Sequence, residues 1–198
     1  MSTKEIILQT AMKLFLAHGY EGVSISDIVK TAKISKGGLY NYFSSKEELF
    51  FQALSQTSDE FYIVITRDFF QWDFSSFHEF YISFAGLYDE ILSNRRYRLS
   101  DMLVLMINAA KIFPQLNQEI KDYTNVFRKI WCKNIEKAIR SGELKEDLSI
   151  ENTTEIYLNL INGFSVNFVF EEAFQSETKT SLKREFDIMY SLIKTKER

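Results

Sequence analysis

Lys36, Gly37, Gly38, Tyr40, Asn41 and Tyr42 crowd into one short stretch, SKGGLYNYF, and carry the groups that bind a nucleic acid. Lysine donates to guanine O6 or N7, and asparagine bonds adenine through two hydrogen bonds. The tyrosines are large and polar-tipped, with reach to base edges or phosphates. Each glycine costs a helix roughly 1 kcal/mol relative to alanine. A pair of them at a helix start makes sense where a bulky partner must come close. From Ile28 through Lys46 there are four lysines (30, 33, 36 and 46) and no acidic residue, although the whole chain has a net charge of −3. Lysine contacts to phosphate supply most of the sequence-independent affinity for DNA. The expected phosphate anchors are Ser24, Tyr42 and Lys46. The expected base-edge contacts are Lys36, Gly37, Gly38, Tyr40 and Asn41, with Ser35 at the head of their helix. Lys36 and Lys46 also open helices, where the positive dipole end adds to the attraction.

Local signals place these groups on a helix-turn-helix. Ser24 and Asp27 have capping-box spacing and predict a helix from Ile25 to Ala32, with Ile25, Ile28, Val29 and Ala32 on its apolar face. A break at Lys33-Ile34 follows, and Ser35 caps a second short helix over 36–43. Ser45 and Glu48 open a third at Lys46. Ahead of these, Ser2 and Glu5 start a helix running from Thr3 to His18. Ile7, Ala11, Leu14, Phe15 and His18 recur along it at helical spacing, and Gly19 stops it. Leu39 and Phe43 should face the small core against this first helix. Such a unit lays its second helix in the DNA major groove.

Two stretches, ILQTAMKLFLAHGYEGVSISDIV and ISKGGLYNYFSSKEELF, resemble the TetR/AcrR-type bacterial transcriptional regulators over roughly residues 6–54. Phe15, Gly19, Ser24, Ile28, Ser35, Gly37, Leu39, Tyr40, Phe43 and Lys46 stand where that family's pattern has such residues. The segment IEKAIRSGELKEDLSIENTTEIYLNLINGF is similar to the part of the family that precedes and opens the dimerisation helix. One departure is Lys33, where the family commonly has glycine. A non-glycine residue in a left-handed turn is mildly strained.

The 198 residues include one proline and seven glycines, and 45% are apolar, so long uninterrupted helices with a real core are expected. The fold class is all-α, with about nine helices. An N-terminal three-helix helix-turn-helix DNA-binding domain, residues 1–46, is joined to a larger C-terminal helical ligand-binding and dimerisation domain, residues 47–198. Beyond the first three, helices are expected over 46–70, 77–93, 96–111, 115–141, 150–172 and 180–195. The single cysteine, Cys132, permits no intramolecular disulfide. No apolar run is long enough for a transmembrane helix and no signal peptide is seen, so a cytoplasmic address and no membrane partner are expected. No histidine, cysteine or acidic cluster has metal spacing. Neither a cofactor nor a catalytic set is expected.

Residues 61–88 hold eleven aromatics, which suit either a core or a pocket. Asn108, Asn159, Asn162 and Asn167 stand on otherwise apolar faces, where a buried asparagine must find a partner. The family resemblance implies a pocket in the C-terminal helical domain for a small hydrophobic or aromatic ligand. Phe61, Phe77, Phe80, Tyr81, Phe84, Asn108 and Asn162 are its candidate lining. The resemblance also implies a homodimer built from the last two helices, with Ile156, Leu160, Gly163, Phe164, Leu182, Phe186, Met189 and Ile193 at the interface. A two-fold dimer would place its reading helices on a palindromic double-stranded site. The expected function is therefore a ligand-responsive dimeric DNA-binding regulator, a repressor released by its ligand. A DNA-binding regulator without a ligand remains an alternative, as does a helical carrier or enzyme. Against the last, no nucleophile–base pair or phosphate loop is present.

Overall fold

The computed structural model describes residues 1–66, 73–92, 98–174 and 181–195. Among them the chain forms α1 (Thr3–His18), α2 (Ile25–Ala32), α3 (Lys36–Tyr40), α4 (Lys46–Thr66), α5 (Phe77–Leu92), α6 (Leu99–Ile112), α7 (Leu116–Arg140), α8 (Ile150–Phe174) and α9 (Leu182–Ile193). The fold is all-helical, and a lone antiparallel bridge joins Leu144 to Lys194. The expected last turn of α4, residues 67–70, and the expected starts of α6 and α9 lie outside the described residues. Among the described residues no helix is long and apolar enough to cross a membrane.

Helix starts follow the serine signals. Ser2 and Ser24 each complete a capping box with the acidic residue three positions on. At α4 and α5 the box is shifted by one residue. Ser45 Oγ accepts from Glu48 N–H, but the Glu48 carboxylate returns to the N–H of Ser44. Ser76 and Ser75 divide the same work with Glu79. Helix α3 is shorter than the expected 36–43. It ends at Tyr40, and Tyr42 and Phe43 N–H both turn back to the Leu39 carbonyl, at 2.9 and 3.1 Å. Two of its five residues are glycines, so little intrinsic propensity extends it.

The chain clusters into two compact units, residues 1–64 with 96–114, and residues 65–95 with 115–198. In the first unit, α1 packs on α2 and α6, and α2 on α3. Ile7, Ala11, Phe15, Ile28, Leu39, Leu49 and Phe50 are completely buried there. The ring of Phe50 meets those of Phe15 at 5.1 Å, Tyr20 at 5.0 Å and Phe113 at 5.6 Å. Division by compactness thus gathers most of α4 and all of α6 with the N-terminal helices.

In the second unit α7 packs on α5 and α8, and α9 covers α5 and α8. Trp131, fully buried, is the hub. Its ring centroid lies 4.7 Å from Phe80, 4.8 Å from Tyr157, 5.4 Å from Phe84 and 5.4 Å from Phe186. Glu143, in the turn after α7, accepts from the N–H of Phe77 at 2.8 Å, of His78 at 3.0 Å and from the Tyr190 hydroxyl at 3.1 Å. A carboxylate from 66 residues away therefore caps α5 and complements its dipole.

The apolar stripe of α9 serves this core. Leu182 and Phe186 are 0% exposed and Ile193 is 4% exposed within their own chain, as is Phe164 of α8. These four are therefore corrected from the expected interface list, because they already pack inside one protomer. Leu160 and Met189 are half-buried, and Ile156 and Gly163 are exposed. The large apolar residues that α8 and α9 turn outward are Ile156, Val166, Phe170, Ile188 and Leu192.

Candidate nucleic-acid interface

Helix α3 is held from beneath and open above. Leu39 is 0% exposed and Phe43 1% exposed, while Tyr40 and Tyr42 stand 46% and 44% exposed. Lys36, Gly37 and Asn41 are exposed as well. The Ser35 side chain accepts the N–H of Gly38 at 2.9 Å and closes the start of the helix. A Cβ on Gly37 would meet nothing within 4 Å, so packing within the chain does not demand glycine there. The candidate base-reading groups Lys36, Gly37, Tyr40 and Asn41 are thus exposed, in a stretch that has no acidic residue from Ile28 through Lys46.

The expected phosphate anchors are more engaged than their sequence suggests. The ammonium of Lys46 donates to the carbonyls of Tyr20 and Val23, at 2.9 Å each, and sits 4.1 Å over the Tyr20 ring. Two of its three N–H donors therefore hold the turn between α1 and α2, and one remains for a phosphate. The Ser24 hydroxyl donates to Asp27 at 2.6 Å and accepts that residue's N–H. Hydrogen bonds from the Ser24 hydroxyl, then from its N–H, hold the Asp27 carboxyl below the usual carboxylate range.

Tyr20 and Phe113 were not singled out by sequence. Tyr20 bridges Lys46 to the aromatic core, and its ring meets that of Phe113 at 4.8 Å. Phe113 thereby ties the end of α6 to the turn after α1 and to α4. In sequence, Phe113 only precedes the helix-ending Pro114, and nothing local marks its partner. Gly22 also has a role invisible to propensity, since a Cβ there would lie 2.3 Å from the His18 carbonyl oxygen.

The turn between α2 and α3 has the expected strain. Lys33 is left-handed, φ 57° and ψ 43°, and its N–H closes the turn on Lys30 and Val29. Lys33→Gly is expected to stabilise the protein by about 0.5–1 kcal/mol, the relief of strain exceeding the extra chain entropy. The corresponding rise in thermal midpoint is about 1–3 °C. An unchanged or lower midpoint would show the left-handed lysine to be unstrained.

The ligand candidates are placed differently. Phe77, Phe80, Tyr81 and Phe84 are buried and in ring contact with one another or with Trp131 in the second unit. Asn108 and Asn162 are exposed, as are Asn159 and Asn167, which corrects the expectation of buried amides. Their polar ends reach water on outward helix faces. The Phe61 side chain lies outside the described residues.

Residues 7–53 match the family model described as bacterial regulatory proteins, tetR family. Over that segment the chain is similar to the TetR family. Its helix-turn-helix is the TetR-type α2–α3 pair, and the relatives are named as transcriptional regulators. YvdT of Bacillus subtilis, an uncharacterised regulator of the helix-turn-helix type, is 29% identical over 91% of this chain and 93% of its own. IcaR of Staphylococcus epidermidis, named as a negative transcriptional regulator of the biofilm operon icaADBC, is 24% identical over 96% of each chain. The crystal structure of FadR from Bacillus subtilis in complex with stearoyl-CoA superposes with a TM-score of 0.67, at 19% identity over 95% of this chain and 96% of that one. The TetR-type architecture therefore extends well beyond the matched head.

Proposed function

We propose that this TetR-type regulator is a dimeric repressor that binds a palindromic operator and is released by a small hydrophobic or aromatic molecule. The observation that carries DNA binding is the surface of α3, with exposed Lys36, Gly37, Tyr40 and Asn41 held up by buried Leu39 and Phe43. Tyr42, the remaining donor of Lys46, and Ser24 at the start of α2 take the phosphates. Repression is supported by the likeness to IcaR, and ligand control by the fold shared with the FadR complex.

A second copy fits the outward faces of α8 and α9. Val166 and Ile188 are 52% and 50% exposed, Leu192 is 63% exposed and Ile156 43%. Large apolar groups grouped on two packed helices are the mark of an interface. Gly163 lies on the same outward face of α8 as Ile156 and Val166. A Cβ there would meet nothing within 4 Å in its own chain, so intrachain packing does not require the glycine. Close approach of a partner helix does. Two reading helices would then enter successive major grooves about 34–36 Å apart.

Selection of randomised duplex DNA on the purified protein tests the core of this reading. An enriched inverted repeat with half-sites one helical turn apart, bound with steep salt dependence, is the expected outcome. Absence of enrichment would reduce the helix-turn-helix to a structural element. Asn41→Ala should then shift the preferred base at one half-site position, at a cost of about 1–3 kcal/mol for the original site. Recovery of the same sequence by the variant would remove Asn41 from base reading.

A further inference from the structure

The aromatic core of the second unit contains two hydrogen-bond donors for which the described residues offer no partner. Trp131 and Tyr157 are both fully buried, and neither the indole N–H nor the phenolic hydroxyl has a hydrogen-bond partner among the described residues. Their rings lie 4.8 Å apart and nearly parallel, one on α7 and the other on α8. Phe77 and Phe80 of α5 and Phe186 of α9 complete an apolar wall around them. Other buried hydroxyls nearby are engaged. Tyr88 is bonded to Ser165, and Tyr81 donates to Asp187 at 2.9 Å. Buried polar groups in folded proteins are paired, and unpaired ones call for a specific account.

We infer that the Trp131 indole and the Tyr157 hydroxyl form the polar end of an aromatic-walled site for a small uncharged molecule bearing an acceptor oxygen, such as an aryl ketone, amide or ether. This deepens the ligand-responsive reading and rests on it. The wall selects an apolar, aromatic body. Both orphan groups offer a proton, so the ligand must offer a lone pair. Tyr81 and Tyr190, whose rings meet that of Phe77, are hydrogen-bonded to the carboxylates of Asp187 and Glu143. Burial, then the neighbouring hydroxyls of Tyr81 and Tyr190 and these carboxylates, push the pKa of Tyr157 up. An anionic ligand would meet the same repulsion. A cation without a lone pair would leave both donors unsatisfied. A neutral acceptor avoids both penalties. Entry requires the stacked rings to part, so the ligand selects a minor, opened state.

The test uses the full-length chain and three probes of similar size: acetophenone, ethylbenzene and benzoate. Acetophenone at millimolar concentration should raise the thermal midpoint more than either of the others. Tyr157→Phe removes one oxygen and should weaken acetophenone binding roughly tenfold, leaving ethylbenzene unchanged. Tighter binding of benzoate, equal binding of acetophenone and ethylbenzene, or unaltered acetophenone affinity in the variant would each overturn the inference. The comparison of the three probes on the wild-type chain stands even if the variant does not fold. Release of the selected operator by some compound that acts equally on Tyr157→Phe would leave ligand control standing and remove this site. Tyr157-dependent binding of acetophenone, with no compound releasing DNA, would do the reverse.

Discussion

Ile188→Glu combined with Leu192→Glu is expected to leave the protomer folded, convert the proposed dimer to a monomer and lower affinity for a two-half-site operator by roughly a hundredfold or more. Both side chains are exposed, at 50% and 63%, so in the isolated protomer each glutamate stays in water at little cost. In a two-fold interface the same carboxylates would be buried against apolar surface, or against their own copies, without partners. Each reading head then binds alone, and the gain from linking two half-sites is lost. Sedimentation equilibrium gives the oligomeric state, thermal denaturation the fold, and titration of the selected operator the affinity. A double variant that remains dimeric would place the interface elsewhere on the chain. Phe186→Glu is the informative contrast. Its ring lies 5.2 Å from Tyr157 and 5.4 Å from Trp131, so a charge there should unfold the second unit rather than dissociate it.

Leu39→Ala is expected to abolish sequence-specific DNA binding without removing any group that faces DNA. Helix α3 has five residues, two of them glycine, and cannot persist by propensity. It is held by the Ser35 cap and by the burial of Leu39 and Phe43. Truncating a completely buried leucine costs about 2–5 kcal/mol. Here the loss falls on the element that positions Lys36, Tyr40 and Asn41. Near-ultraviolet circular dichroism and operator titration should show the second unit intact and operator binding gone. Retained affinity would mean that α3 is positioned by other contacts, with Phe43 the first candidate.

Helix starts were legible because their determinants are local. Ser2, Ser24, Ser35, Ser45 and Ser76 each accept an N–H three residues on, and such a bond needs only the intervening turn. The left-handed Lys33 came instead from the family resemblance, which has glycine at that turn position. Helix periodicity likewise marked Leu182, Phe186 and Ile193 as one apolar face. It could not say what covers that face, because a stripe is equally satisfied by its own chain or by a copy. The asparagines of α8 failed for a related reason. They lie beside apolar residues on the outward side, and the amphipathic pattern alone does not tell inward from outward when both sides carry large side chains.

The amino-acid sequence by itself determined the all-helical class, the helix-turn-helix and the likeness of its first residues to the TetR family, because short-range hydrogen bonds and the spacing of apolar residues encode these. Only the tertiary structure decided that Lys46 spends two donors on Tyr20 and Val23, that Glu143 caps α5, that Phe113 binds the end of α6 to the turn after α1 and to α4, and that Ile188 and Leu192 face outward. Each of these depends on bringing together residues distant in sequence. Chain entropy opposes such contacts, and the summed burial of a whole core sustains them.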